Sequence, residues 1–166
     1  MENLKEQFSL IYDQYIEKIY RFVYLKVSSR EMAEDITSRV FLKGWESYQS
    51  HKDIRNPGSF LYRIARNMVV DHYRDKGKAR VISDENVPQI ADSKVNIHEK
   101  AILNAEIETI KVAIGKLKKD YQDVIIWHYL EDMPVAEISQ IIDKPAGTIR
   151  VMIHRGLEML RKELNK

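Results

Sequence analysis

The sequence of 166 residues contains no cysteine, which excludes disulfides and any cysteine-ligated metal centre and is compatible with a reducing cytoplasm. Its five histidines show no metal-ligand spacing. No apolar run approaches the roughly 20 residues that span a bilayer, and the opening MENLKEQ is charged, so neither a membrane anchor nor a signal peptide is expected. There is no glycine-rich phosphate loop and no nucleophile beside a base. An enzyme is therefore the weakest functional class, and no cofactor is expected. What is left is a soluble, cytoplasmic protein that acts by binding.

At 44% hydrophobic residues the chain can bury a respectable core, as one domain or two small ones. A net charge of +2 does not by itself announce a nucleic-acid partner, so placement of charge has to carry that argument. Placement is uneven. Lys52, Arg55, Arg63, Arg66, Arg74, Lys76, Lys78 and Arg80 outweigh Asp53, Asp71 and Asp75 over residues 52–80, and basic residues again dominate from Lys144 onward. Between these blocks, residues 84–108 carry six acidic side chains against Lys94 and Lys100.

Apolar periodicity predicts an all-α protein. Phe8, Ile11, Tyr12, Tyr15, Ile16, Ile19, Tyr20 and Val23 mark a first amphipathic helix whose tyrosine stripe is read as core. The S-x-x-E pattern of residues 28–31 offers a capping box to a second helix through Ala33, Ile36, Val40, Phe41 and Trp45. That helix's charged face, Glu34, Asp35, Ser38, Arg39 and Lys43, reads on its own as solvated. Asn56-Pro57-Gly58 is a turn, with Asn56 or Ser59 positioned to cap the next helix.

The third helix, FLYRIARNMVVDHYR at 60–74, places Phe60, Leu61, Ile64, Ala65, Met68 and His72 on one face. Arg63, Arg66, Asn67, Val70 and Arg74 lie opposite, with Tyr62 and Tyr73 at the border. Guanidinium groups suit phosphate, while amides and rings read or stack bases. Taken alone, however, the stretch favours a solvated basic face. Helix signals fade at 75–78, residues 78–98 lack helical period and read as a flexible linker, and further helices run through Ala101–Leu117 and Tyr121–Leu130. The organisation is two helical bundles, residues 1–77 and 99–166, separated by the linker 78–98.

The most specific spacing lies in VAEISQIIDKPAGTIRVMIHRGLEMLRKE at 135–163. Apolar Val135, Ile138, Ile141 and Ile142, a break at Asp143-Lys144-Pro145, and apolar Ile149, Ile153, Leu157 and Leu160 spell a helix-turn-helix. Ala136 is small where the two helices are expected to approach, and Pro145 is tolerated in a first turn. The second helix turns Arg150, Val151, His154, Arg155 and Glu158 outward, a set suited to the major groove and its phosphates. A solvated helical hairpin is the competing reading.

With both halves in view, the chain resembles the sigma-70 family of bacterial RNA polymerase sigma factors, specifically the small extracytoplasmic-function group. AEDITSRVFLKGW at 33–45, the 60–74 stretch and GTIRVMIHRGLEML at 147–160 carry the resemblance, in that order along nearly the whole chain. It implies that the first bundle binds the clamp coiled coil of the largest polymerase subunit and the −10 element as single-stranded DNA. The second bundle then binds the duplex −35 element and the flap of the second-largest subunit. On matching positions, Asp35, Ser38, Arg39, Phe41, Leu42 and Trp45 fall to polymerase contact. Ser47, His51 and Asn56 fall to the rim of a pocket for a turned-out base, Asn67 to base reading, and Arg63, Arg66 and Arg74 to the DNA backbone. Arg150, Val151, His154 and Arg155 fall to the −35 element. Ser38 and Arg39 depart from the Gln and Glu common in the family, and Val151 and Met152 from small polar and basic residues. The resemblance adds one conditional partner, an anti-sigma protein, because many relatives are restrained by one.

The alternative from another class is a free-standing helix-turn-helix regulator that binds duplex operators as a dimer, which leaves the first bundle's arginine and tyrosine surface without a role. A purely structural interaction module is the third reading.

Overall fold

The computed structural model describes residues 2–50, 54–79 and 98–166. All regular structure among them is helical: α1 (Glu2–Lys26), α2 (Arg30–Ser50), α3 (Pro57–Ala79), α4 (His98–Gly115), α5 (Lys119–Ile125), α6 (Val135–Ile142) and α7 (Ala146–Leu164). No helix among the described residues is long and apolar enough to cross a membrane.

Local chemistry sets the boundaries. The cap of α2 is Ser29 and not Ser28, because Ser29 Oγ accepts from Met32 N–H at 3.1 Å, one residue later than the S-x-x-E register. Asn56 caps α3, its Oδ1 accepting from Ser59 N–H at 3.1 Å. α5 runs without a break into one π-helical turn, Ile126–Leu130, where Glu131 N–H reaches back to the Ile126 carbonyl at 3.0 Å. Two aspartates then adopt the left-handed backbone that short polar side chains tolerate, Asp132 (φ 55°) before α6 and Asp143 (φ 65°) after it. Asp143 makes the turn of the helix-turn-helix, with its N–H on the Ser139 carbonyl at 2.8 Å. Pro145 caps α7 from just outside it, and Ile149 N–H closes on the Pro145 carbonyl at 3.1 Å.

α1, α2 and α3 pack on one another, and α5, α6 and α7 form the second group with α4 against α7. Close approach uses glycine. A Cβ on Gly44 of α2 would meet Leu61 Cδ2 at 2.8 Å, and one on Gly156 of α7 would meet Ile125 Cγ1 at 3.0 Å. Gly156, and not the exposed Ala136, is therefore the small residue at a helix crossing in the second bundle.

The bundles lie against each other, α3 on α6 and α1 on α4, and one continuous apolar cluster runs through both. At its centre Phe22 of α1 stacks on Trp127 of the π turn, with centroids 5.1 Å apart and planes at 13°. Tyr62 of α3 meets both rings edge-on, at 5.7 Å from Phe22 and 5.6 Å from Trp127. All three side chains are essentially solvent-free. Burial raises the Tyr62 hydroxyl pKa well above its ordinary value, and the nearby Glu131 carboxylate adds to this.

Candidate polymerase and promoter interfaces

On α7, Ile149, Met152, Ile153 and Gly156 are buried. The helical period then leaves Arg150, Val151, His154 and Arg155 exposed on the other side. His154 Nε2 lies 3.4 Å from Glu158 Oε1 one turn on. This surface combines two guanidinium groups, an imidazole and an aliphatic side chain. Arginine suits guanine edges or phosphate, and a branched aliphatic group suits a thymine methyl. Met152 faces the core, so of the two departures from the family pattern only Val151 is placed to touch a ligand.

On α2, Asp35, Ser38 and Arg39 form an exposed polar stripe, with an Arg39–Asp35 ion pair of 3.0 Å, and Leu42 adds an apolar side chain 59% exposed. Phe41 does not reach that surface. It is 5% exposed and meets Tyr12 edge-on at 4.9 Å and Phe8 at 6.5 Å, so it supports the face from beneath. Trp45 is half-buried against Phe8 at 5.3 Å. With Lys5, Phe8, Ser9 and Tyr12 it lines a shallow, open cavity of about 290 Å³.

α3 has three faces. Leu61, Ile64 and Ala65 point into the first bundle, and Arg63, Asn67, Val70 and Arg74 form an exposed stripe at intervals of four, three and four. Between them, Tyr62, Arg66, Val69 and Tyr73 run beneath the second bundle. Arg66 therefore leaves the open stripe. Its Nε donates to Asp123 Oδ2 at 2.9 Å and its Nη2 to Asp120 Oδ1 at 3.3 Å. Arg63 stays exposed but donates through Nη2 to the Gln140 carbonyl of α6, and Arg74 pairs with Asp71 on its own helix. Ser47 is half-buried near the end of α2, and Asn56 is occupied in capping α3. His51 lies outside the described residues, as do residues 80–97 of the expected linker.

Sequence reasoning missed the side chains that join the two halves. Lys26 of α1 donates to Asp123 Oδ1, and their side chains are 3% and 2% exposed. Arg21 holds Glu131 with two hydrogen bonds, Nε to Oε1 at 2.6 Å and Nη2 to Oε2 at 2.9 Å. Tyr24 donates to Glu108 Oε1 at 2.6 Å, and burial, reinforced by that carboxylate, pushes its pKa up to about 12. The available signals were Phe22 just off the first helix's apolar stripe and Tyr62 and Tyr73 at the border of α3.

Comparison with known proteins agrees with this layout. Residues 11–79 match the family model for sigma-70 region 2, and residues 107–160 match that for sigma-70 region 4. The extracytoplasmic-function (ECF) RNA polymerase sigma factor SigW of Bacillus subtilis is 32% identical, over 96% of this chain and 90% of its own length. Two solved structures share the fold over nearly the whole chain. The sigma factor RpoE from Bartonella quintana, in complex with the anti-sigma factor NepR, has a TM-score of 0.77 at 20% identity, covering 96% of this chain and 98% of that one. CnrH, in complex with the cytosolic domain of CnrY, has a TM-score of 0.74 at 15% identity, covering 97% and 89%. The two sigma-70 regions in that order, with 32% identity to SigW over nearly the whole chain, place this chain in the sigma-70 family as an RNA polymerase sigma factor of the extracytoplasmic-function group.

Proposed function

We propose that this sigma factor divides promoter recognition between its bundles, residues 1–77 serving core polymerase and the −10 element and residues 99–166 the −35 element. The observation that carries this reading is the exposed quartet Arg150, Val151, His154 and Arg155 on a helix whose opposite side is buried. Duplex −35 DNA meets that quartet. Single-stranded −10 DNA lies along Arg63, Asn67 and Arg74, with Arg66 joining when the second bundle moves off and Ser47, His51 and Asn56 at the base pocket. Asp35, Ser38, Arg39 and Leu42 take the polymerase clamp, with Phe41 and Trp45 shaping that face, and the second bundle meets the flap.

The protein works in the cytoplasm, where polymerase and DNA are, and makes or breaks no bond. Its part in melting is to stabilise unpaired bases by stacking, amide hydrogen bonds and phosphate contacts, which offset unstacking costs of a few kcal/mol. The likeness to RpoE, solved in complex with the anti-sigma factor NepR, supports an anti-sigma protein as a third partner.

The test separates the two ends of the promoter. Arg150→Ala lowers discrimination between intact and altered −35 sequences by about 1–3 kcal/mol while leaving core binding unchanged. Asn67→Ala impairs open-complex formation more than core binding. Equal loss of both in Asn67→Ala, or undiminished −35 discrimination in Arg150→Ala, refutes the respective assignment.

A further inference from the structure

Granted the assignment of the exposed α7 face to −35 DNA, on which the proposal rests, we infer that Val151 selects a pyrimidine carrying a 5-methyl group at one position of that element, thymine in unmodified DNA. At about 100° per residue, Gly147, Val151, His154 and Glu158 fall on a strip roughly 60° wide. All four are exposed, and the strip lies opposite the buried side formed by Ile149, Met152, Ile153 and Gly156. Arg150 stands about 40° to one side of the strip and Arg155 about 40° to the other. The two guanidinium groups therefore straddle it, within reach of flanking phosphates or neighbouring base edges. The strip itself is what α7, seated on its buried side, turns toward the floor of the groove.

Within the strip, Val151 is the first side chain placed to reach a base. Gly147, one turn earlier, has none, and a Cβ there would meet nothing within 4 Å, so the start of α7 is left bare for close approach. The N-terminal part of a recognition helix is the part that contacts base edges. One turn after Val151, His154 is engaged with Glu158 at 3.4 Å. Val151 is 47% exposed and has neither donor nor acceptor, so it cannot satisfy the amino group of cytosine or adenine or the O6 of guanine. Covering one of those groups with valine leaves it without water or partner. Thymine alone among the four bases offers an apolar group in the major groove, its 5-methyl. 5-Methylcytosine carries the same methyl in the same place, so the class selected is the 5-methylpyrimidine, and cytosine methylation at this position changes promoter affinity.

The test uses RNA polymerase holoenzyme reconstituted with the full chain and a template recovered by initiation from a random-sequence library. Each thymine of the upstream block, on either strand, is replaced in turn by deoxyuridine, which keeps the base pair and the O4 acceptor and removes only the methyl. Burying one methyl changes affinity about fourfold, so at one position deoxyuridine should weaken holoenzyme binding by roughly three- to fivefold. Cytosine there should weaken it further, and 5-methylcytosine should recover a similar factor. Val151→Ala removes only exposed side-chain atoms, so helicity should be retained while both methyl effects approach one. Methyl effects of equal size in wild type and Val151→Ala overturn the inference and leave the −35 assignment standing. So does the lack of any methyl-sensitive position in a block on which binding depends. If scrambling the whole upstream block costs nothing, the −35 assignment itself fails, and the role of Val151 with it.

Discussion

Truncating Phe22 to alanine is the sharpest probe of how the two halves are joined. Phe22 is fully buried, stacked on Trp127 across the seam and edge-on to Tyr62 within its own bundle, with Lys26 Nζ 5.3 Å from its ring centre. Removing a buried phenylalanine ring costs about 3–5 kcal/mol. Because the stacked partner belongs to the other bundle, a large share of that cost falls on docking and the remainder on the first bundle. With urea m-values of about 1–3 kcal/mol/M, the undocking midpoint should fall by about 1 M or more. In a Trp45→Phe background the remaining tryptophan, Trp127, reports on the seam, while far-UV circular dichroism reports on helices. In the Phe22→Ala variant, Trp127 emission should move to the red at lower urea than helix loss, dividing one transition into two. Coincident transitions displaced by less than about 1 kcal/mol would show that Phe22 does not hold the bundles together.

Other consequences can be checked separately. Asn56→Ala should lower stability by about 1 kcal/mol through loss of the α3 cap, whereas Asn56→Asp keeps the acceptor and should stay within a few tenths in thermal melts. If Asn56 also lines the base pocket, both variants should weaken −10 recognition; an effect confined to the alanine variant leaves it as a cap alone. Alkaline pH should loosen the contact between the bundles at α1 and α4. The Tyr24 pKa is raised to about 12 by burial and by Glu108, so its stabilisation is complete below pH 10 and lost as pH rises through 12. In the Trp45→Phe background the red shift of Trp127 emission between pH 10 and 12 should therefore be smaller in Tyr24→Phe, and superimposable profiles would remove Tyr24 from the seam.

Much of the fold was legible because helical period and turn chemistry are local. Asp143-Lys144-Pro145 stopped α6 and started α7 where the pattern said, and the outward quartet of α7 came from the apolar spacing of Ile149, Ile153, Leu157 and Leu160. The misses have a common cause, since a single period assigns each helix one buried side. α3 has two neighbours, so Tyr62, Arg66 and Val69 are covered although they lie off its main apolar face. Phe22 escaped for the same reason. Phe41 owes its expected polymerase contact to its place in the 33–45 motif, whereas the apolar period of α2 had already set it inward, where packing holds it. Lys26, Asp123 and Glu131 carried no sequence signal, because pairing charges 97 and 110 residues apart depends on how the bundles meet.

As proposed, this chain gives core polymerase its choice of promoter through two separate DNA surfaces. The most direct measurement is selection of initiating templates from a random-sequence library by purified core RNA polymerase reconstituted with this protein. The recovered templates should share two sequence blocks, near −35 and −10. Changes in the upstream block should depend on Arg150 and changes in the downstream block on Asn67. Failure to recover any initiating template, together with operator binding by the protein alone as a dimer, would contradict that claim and leave a free-standing helix-turn-helix regulator in its place.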